Sequence, residues 1–99
     1  MDYKETIKYL KEFAKSKDWE KYHNFKDLAL SVSIEASELL EIFQWKTPEN
    51  LNDEDIKNMK YELADVLIYI FLMCDKLGVE PHDIIKEKME INKKRNFKI

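Results

Sequence analysis

Two pairs of acidic residues recur at a spacing of three, Glu35 with Glu38 and Glu62 with Asp65. Residues three apart on an α-helix point the same way. At ~100° per residue, Leu28, Val32, Leu39 and Ile42 fall within about 60° of Glu35. Glu35 therefore occupies the middle of an apolar stripe, where an ordinary amphipathic helix carries Leu. Glu38 lies one step toward the edge of that face. Glu62 is likewise in line with Val66, Tyr69 and Met73, with Asp65 beside it. Carboxylates brought together between helices are strongly unfavourable unless something positive joins them. Ligation by oxygen alone selects a hard divalent ion, magnesium or else manganese, and magnesium implies phosphate chemistry. One Glu on a helix is ordinarily a solvated surface acid, but two inward-pointing pairs are poorly explained that way.

Other metals fit less well. No thiolate and imidazole groups are spaced for zinc. A ferritin-like di-iron centre needs a Glu-x-x-His motif on each of two helices, and here that spacing occurs once, at Glu20 and His23.

Four helices must position these acids. The first is expected from about Tyr3 to Ala14, with Tyr3, Ile7, Leu10 and Phe13 at helical spacing. A polar and aromatic connector runs from Ser16 to Asn24. Asn24 is a good N-cap for a second helix reaching about Gln44, which Thr47-Pro48 closes. The third starts at Asn52, with Asp53, Glu54 and Asp55 against the positive end of its dipole, and stops at Leu77-Gly78. Pro81 opens a fourth that continues to about Arg95. The predicted fold is an all-α, four-helix-bundle-like single domain over residues 1–99. From Leu63 to Cys74 the third helix is apolar nearly all the way round, so it must be buried on several sides. Three companions in so short a chain cover it poorly, and a homodimer or homotetramer is expected to complete the fold.

The bulk composition agrees. One Gly and two Pro leave little material for the turns of an all-β fold, and 37% of residues are charged. The net charge of −3 comes without a long basic stripe, which argues against a nucleic-acid partner. The longest apolar run, Val66 to Cys74, is far short of the ~20 residues that span a bilayer. The first residues show no secretory pattern and Cys74 stands alone, so a cytoplasmic protein is expected. Cys74, inside an apolar run, reads as a packed core thiol.

The motif Glu35-Ala-Ser-Glu38 followed by Glu62-Leu-Ala-Asp65 resembles that of the MazG-like superfamily of all-α nucleoside triphosphate pyrophosphohydrolases. Asp18-Trp19, Leu28-Ala29-Leu30, Leu39-Leu40-Glu41, Phe43-Gln44-Trp45 and the run from Glu62 to Tyr69 resemble its dCTP-pyrophosphatase-like branch, over about Trp19 to Asn92. The resemblance implies magnesium-dependent hydrolysis of a nucleoside triphosphate to the monophosphate and pyrophosphate, as nucleotide-pool housecleaning. It implies Glu35, Glu38, Glu62 and Asp65 as metal ligands, with Glu38 the candidate acceptor of the water's proton. It also places Trp19, His23, Trp45 and Tyr69 around the base and sugar. Trp45 and Tyr69 each follow an acid by seven residues, two turns along its face, although aromatics at such spacing are ordinarily core. On the fourth helix Lys88 and Asn92, with Arg95 or Lys93 beyond, match phosphate- and sugar-binding positions. Asn96-Phe97 replaces the family's frequent Lys-Tyr pair, and Lys93, Lys94 and Lys98 read as a solvated tail. The alternatives are a dUTPase-like relative and a non-catalytic helical interaction module that kept the fold. All four acid positions are filled, which favours the enzyme.

Overall fold

The structure, a computed structural model, describes residues 1–95, so Asn96, Phe97 and Lys98 lie outside the described residues. Among the described residues are four helices, α1 (Tyr3–Ser16), α2 (Phe25–Glu41), α3 (Asp53–Leu77) and α4 (Pro81–Lys94), with a 3-10 turn at Glu20–Tyr22. No strand occurs among the described residues.

The helix starts are set by local chemistry. The side chains of Asp2, Asn24 and Asn52 accept from the backbone N–H groups of Glu5, Asp27 and Asp55, each at 2.8 Å. At α3 the arrangement is reciprocal, because the Asp55 carboxylate also accepts from the Asn52 N–H. That carboxylate is buried and paired with the Lys46 ammonium. The Lys46 hydrogen bond, backed by the Asn52 N–H, holds the Asp55 carboxyl below its ordinary range. A depressed acid stabilises the fold above the ordinary carboxylate pKa, and the contribution is lost as pH falls through the folded value. Asn52→Ala should cost about 1 kcal/mol in urea denaturation. Asp55→Ala should cost more, since it removes the capping box and leaves Lys46 unpaired. Equal midpoints for the two variants would show that the ion pair contributes nothing.

Helix α1 closes on Asp18, whose φ of 58° is left-handed. Gly78 ends α3 in the same region at φ 76°, where glycine carries no Cβ penalty. Helix α2 stops at Glu41, three residues before the expected end. Its last carbonyls, on Leu39, Leu40 and Glu41, accept tight i→i+3 bonds from Ile42, Phe43 and Gln44, and Trp45 then turns left-handed at φ 65°. The Lys46–Asp55 pair ties this turn to the start of α3, which overrides continuation of the helix.

Helices α2 and α3 form the main packing unit, with α1 laid on α3. They run antiparallel: Leu28 shares a cleft with Leu72, Glu35 lies beside Glu62 and Asp65, and Lys46 meets Asp55. Tyr3 fixes α1 by an edge-on contact with Phe71, ring centroids 5.2 Å apart, and Lys11 pairs with Asp75 at 3.3 Å. Ile7, Ala14, Leu28, Leu72 and Cys74 are the buried apolar residues.

The four helices make the expected all-α, four-helix-bundle-like fold, in which α4 is the helix least engaged with the rest of the chain. Apart from its buried first residue, Pro81, it makes only marginal contact with the other helices. The radius of gyration, 16.1 Å, exceeds the ~13 Å of a compact chain of this length. Leu63 and Leu67, inside the apolar run of α3, are 47% and 50% exposed. The 14 residues of α1 cover one side of α3 and α2 another, leaving the remainder open.

Candidate functional site

Antiparallel packing of α2 on α3 places the two acid pairs face to face. Oxygens of Glu35, Glu62 and Asp65 lie within 4.8 Å of one another, all three residues half-buried. Glu38 stands alongside, near enough to raise the carboxyls of Glu35 and Glu62, but outside that group of three. This matches its position one step off the stripe.

The cluster concentrates negative charge in a half-buried position. Burial pushes the Glu35 carboxyl up to about 7, helped by Glu38, Asp65 and Glu62. Burial raises Glu62 as well, with Glu38 and Asp65 adding to it. One oxygen each of Glu35 and Glu62 is buried with no hydrogen-bond partner. Native proteins seldom leave such atoms orphaned. A hard divalent cation satisfies the orphaned oxygens and removes the repulsion together, so the residues present fit magnesium or manganese.

A cleft of 220 Å³ opens onto Glu35 and Asp65, walled by Phe13, Trp19, His23 and Tyr69. A second, of 340 Å³, shares Trp19, His23 and Tyr69 and reaches Asp27 and Ser31. Burial, with Glu35, Asp65 and Glu38 nearby, raises the Tyr69 phenol above its ordinary value. Its hydroxyl therefore stays protonated and can donate a hydrogen bond at the mouth of the acid cluster.

Trp19, His23 and Tyr69 are thus brought together beside the acids. Trp45 is not: it lies beyond the end of α2, 92% exposed, because the helix ends before its two-turn offset from Glu38 can act. Lys88, Asn92 and Arg95 line neither cleft of their own chain, since α4 stands away from α2 and α3. Lys88 and Arg95 are exposed, and Asn92 is half-buried, its side-chain oxygen without a partner among the described residues. Sequence reasoning passed over Phe13 as core, and did not single out Asp27 and Ser31. These two precede Glu35 by eight and four residues, so their helical spacing was the available signal. The Glu20-x-x-His23 spacing falls on and just after the 3-10 turn, and Glu20 is outside the acid cluster.

The fold and site define a class: an all-α protein whose two longest helices face each other through acidic pairs beside an aromatic cleft. The chain belongs to the MazG-like family, whose profile matches residues 30–98. It is similar to dCTP pyrophosphatase 1 of Homo sapiens, 36% identical over 89 residues, an alignment covering 85% of this chain and 52% of that protein. The Rattus norvegicus protein of the same name is 34% identical over the same length and the same shares. The chain thus spans about half the length of the curated relatives it matches. A solved pyrophosphatase from Archaeoglobus fulgidus superposes with a TM-score of 0.82 and is 41% identical, covering 96% of this chain and 92% of that one.

Proposed function

We propose that this protein hydrolyses a (deoxy)nucleoside triphosphate between the α and β phosphates, releasing the monophosphate and pyrophosphate with magnesium as cofactor. The observation that carries the reading is the convergence of Glu35, Glu62 and Asp65 at the mouth of a cleft walled by Trp19, His23 and Tyr69. Acids alone would suit any cation, and aromatics alone any core. Together they suit a ligand with a polyanionic end and a flat end. The names of the dCTP pyrophosphatase relatives make dCTP the first substrate to try.

Glu35, Glu62 and Asp65, with Glu38 at their edge, would hold the ion. Bound there, magnesium supplies positive charge to the triphosphate and lowers the pKa of water. Glu38, outside the group of three, would accept the proton of the attacking water at its carboxylate. Trp19 and His23 stack on the base and exclude water from that end, and the Tyr69 hydroxyl donates toward the phosphate or sugar. Incubation with magnesium and a panel of ordinary and modified nucleoside triphosphates should yield monophosphate plus pyrophosphate. Release of inorganic phosphate alone would contradict the reading.

The same reading calls for assembly in the cytoplasm as a homodimer or homotetramer. Second copies are the natural cover for Leu63, Leu67, Ile85 and Met89, which no helix of the same chain buries. Lys88, Asn92 and Arg95 would then act in substrate binding only in the assembled protein. Light scattering at micromolar concentration should give two or four times the 12.0 kDa chain mass. A monomer there would overturn the assembly and the roles given to α4.

A further inference from the structure

We propose that Asp18 is a positioning residue for the cleft, acting through its backbone conformation on Trp19. At φ 58° it is one of two described non-glycine residues in the left-handed region. The Asp18 N–H donates to the Lys15 carbonyl at 3.1 Å, and the Trp19 N–H donates back to Ala14 at 2.9 Å. This pair of bonds is the Schellman closure of a helix, in which the residue at the Asp18 position is ordinarily glycine. The closure reverses the chain so that the Trp19 ring meets Phe13 edge-on, centroids 5.5 Å apart at 72°. Trp19 so held is a wall common to both clefts, and Phe13 backs it in the smaller one.

The Asp18 side chain offers no competing explanation of comparable weight. Among the described residues its side chain pairs only with Lys21, at 3.1 Å on the open surface, where both side chains are more than half exposed. Exposed pairs of this kind contribute little. What Asp18 supplies is tolerance of a left-handed backbone, which Asp, Asn and Gly share and β-branched residues lack.

The test is a graded series at one position, and its kinetic arm rests on the hydrolase reading. With dCTP and magnesium, Asp18→Gly and Asp18→Asn should keep the parent KM. Asp18→Ala should raise it severalfold and Asp18→Val about tenfold, the scale of a lost base-stacking contact, with kcat within twofold. A KM for Asp18→Gly as high as for Asp18→Val would assign the effect to the carboxylate and overturn the proposal. So would a parent-like KM in both Asp18→Ala and Asp18→Val. Should Asp18→Val fail to fold, the contrast between Asp18→Ala and Asp18→Gly decides. A second arm needs no turnover: in a Trp45→Phe background, emission reports Trp19 alone. It should shift to the red in Asp18→Ala and remain at the parent wavelength in Asp18→Gly. Unchanged emission in Asp18→Ala would overturn the cap's role even if no triphosphate is hydrolysed. Absence of turnover in the parent protein would instead remove the hydrolase reading.

Discussion

Asp65→Asn is expected to lower kcat/KM for the preferred triphosphate by about 10³-fold or more, while helical circular dichroism stays unchanged. Asparagine keeps the shape of the side chain and removes its charge. About 10³-fold corresponds to ~4 kcal/mol of lost transition-state stabilisation, within what one ligand to a charge-neutralising metal supplies. The structure adds a sign that separates metal binding from packing. Glu35, Glu62 and Asp65 crowd within 4.8 Å. Removing one negative charge relieves repulsion in the metal-free protein. The variant should therefore melt at the same temperature as the parent or higher when magnesium is absent, and gain less when magnesium is added. Retained activity would take Asp65 out of the site. Lost activity together with a much lower melting temperature in the absence of metal would make its role structural. Glu38→Gln should also abolish turnover, with less effect on the magnesium-induced gain in stability, because Glu38 lies outside the group of three.

Removing magnesium is the second large effect, and its pH dependence follows from the raised carboxyls. Glu35 is held at about 7 and Glu62 is raised too, both first by burial. A carboxyl raised above its unfolded value binds a proton on folding. What Glu35 and Glu62 contribute to the stability of the metal-free protein is therefore fully present below the ordinary Glu pKa, near 4.3, and is lost as pH rises through about 7. Metal binding requires the ionised forms, so magnesium should stabilise little at pH 5 and strongly at pH 8. At a magnesium concentration of ~100 times its Kd the gain is about 2.7 kcal/mol. For a domain of this size that is on the order of 10 °C in Tm. A chelator at pH 8 should reverse the gain and reduce hydrolysis to background. Melting temperatures that ignore magnesium at pH 8, or turnover that survives the chelator, would dismiss the carboxylate cluster as a metal site.

Much of this is legible in the sequence. Helix starts are decided within about four residues, so Asn24, Asn52 and Pro81 could be read directly as caps and first-turn residues. Gly78 marked the end of α3 for the same reason. The inward direction of Glu35 and Glu62 followed from periodicity alone, since each sits where a core residue belongs. Local logic did not fix where Trp45 lies in its own chain. Counting seven residues from Glu38 assumes an unbroken helix, whereas α2 tightens and stops at Glu41. The early stop is bound up with a partner nine residues beyond Lys46, the buried Asp55.

By itself, then, the amino-acid order determined the helices, their caps and the faces that carry the acids, because each depends on neighbours a turn or two away. The tertiary structure decided what no local pattern contains. It set the register of α2 against α3 that brings Glu35 to Glu62 and Asp65 and leaves Glu38 at the edge. It set the turn after α1 that stands Trp19 between two clefts, and the departure of α4 with Lys88, Asn92 and Arg95. Register and departure depend on how whole helical faces interlock and on how much apolar surface one short chain can cover. Those quantities exist only once the helices are packed.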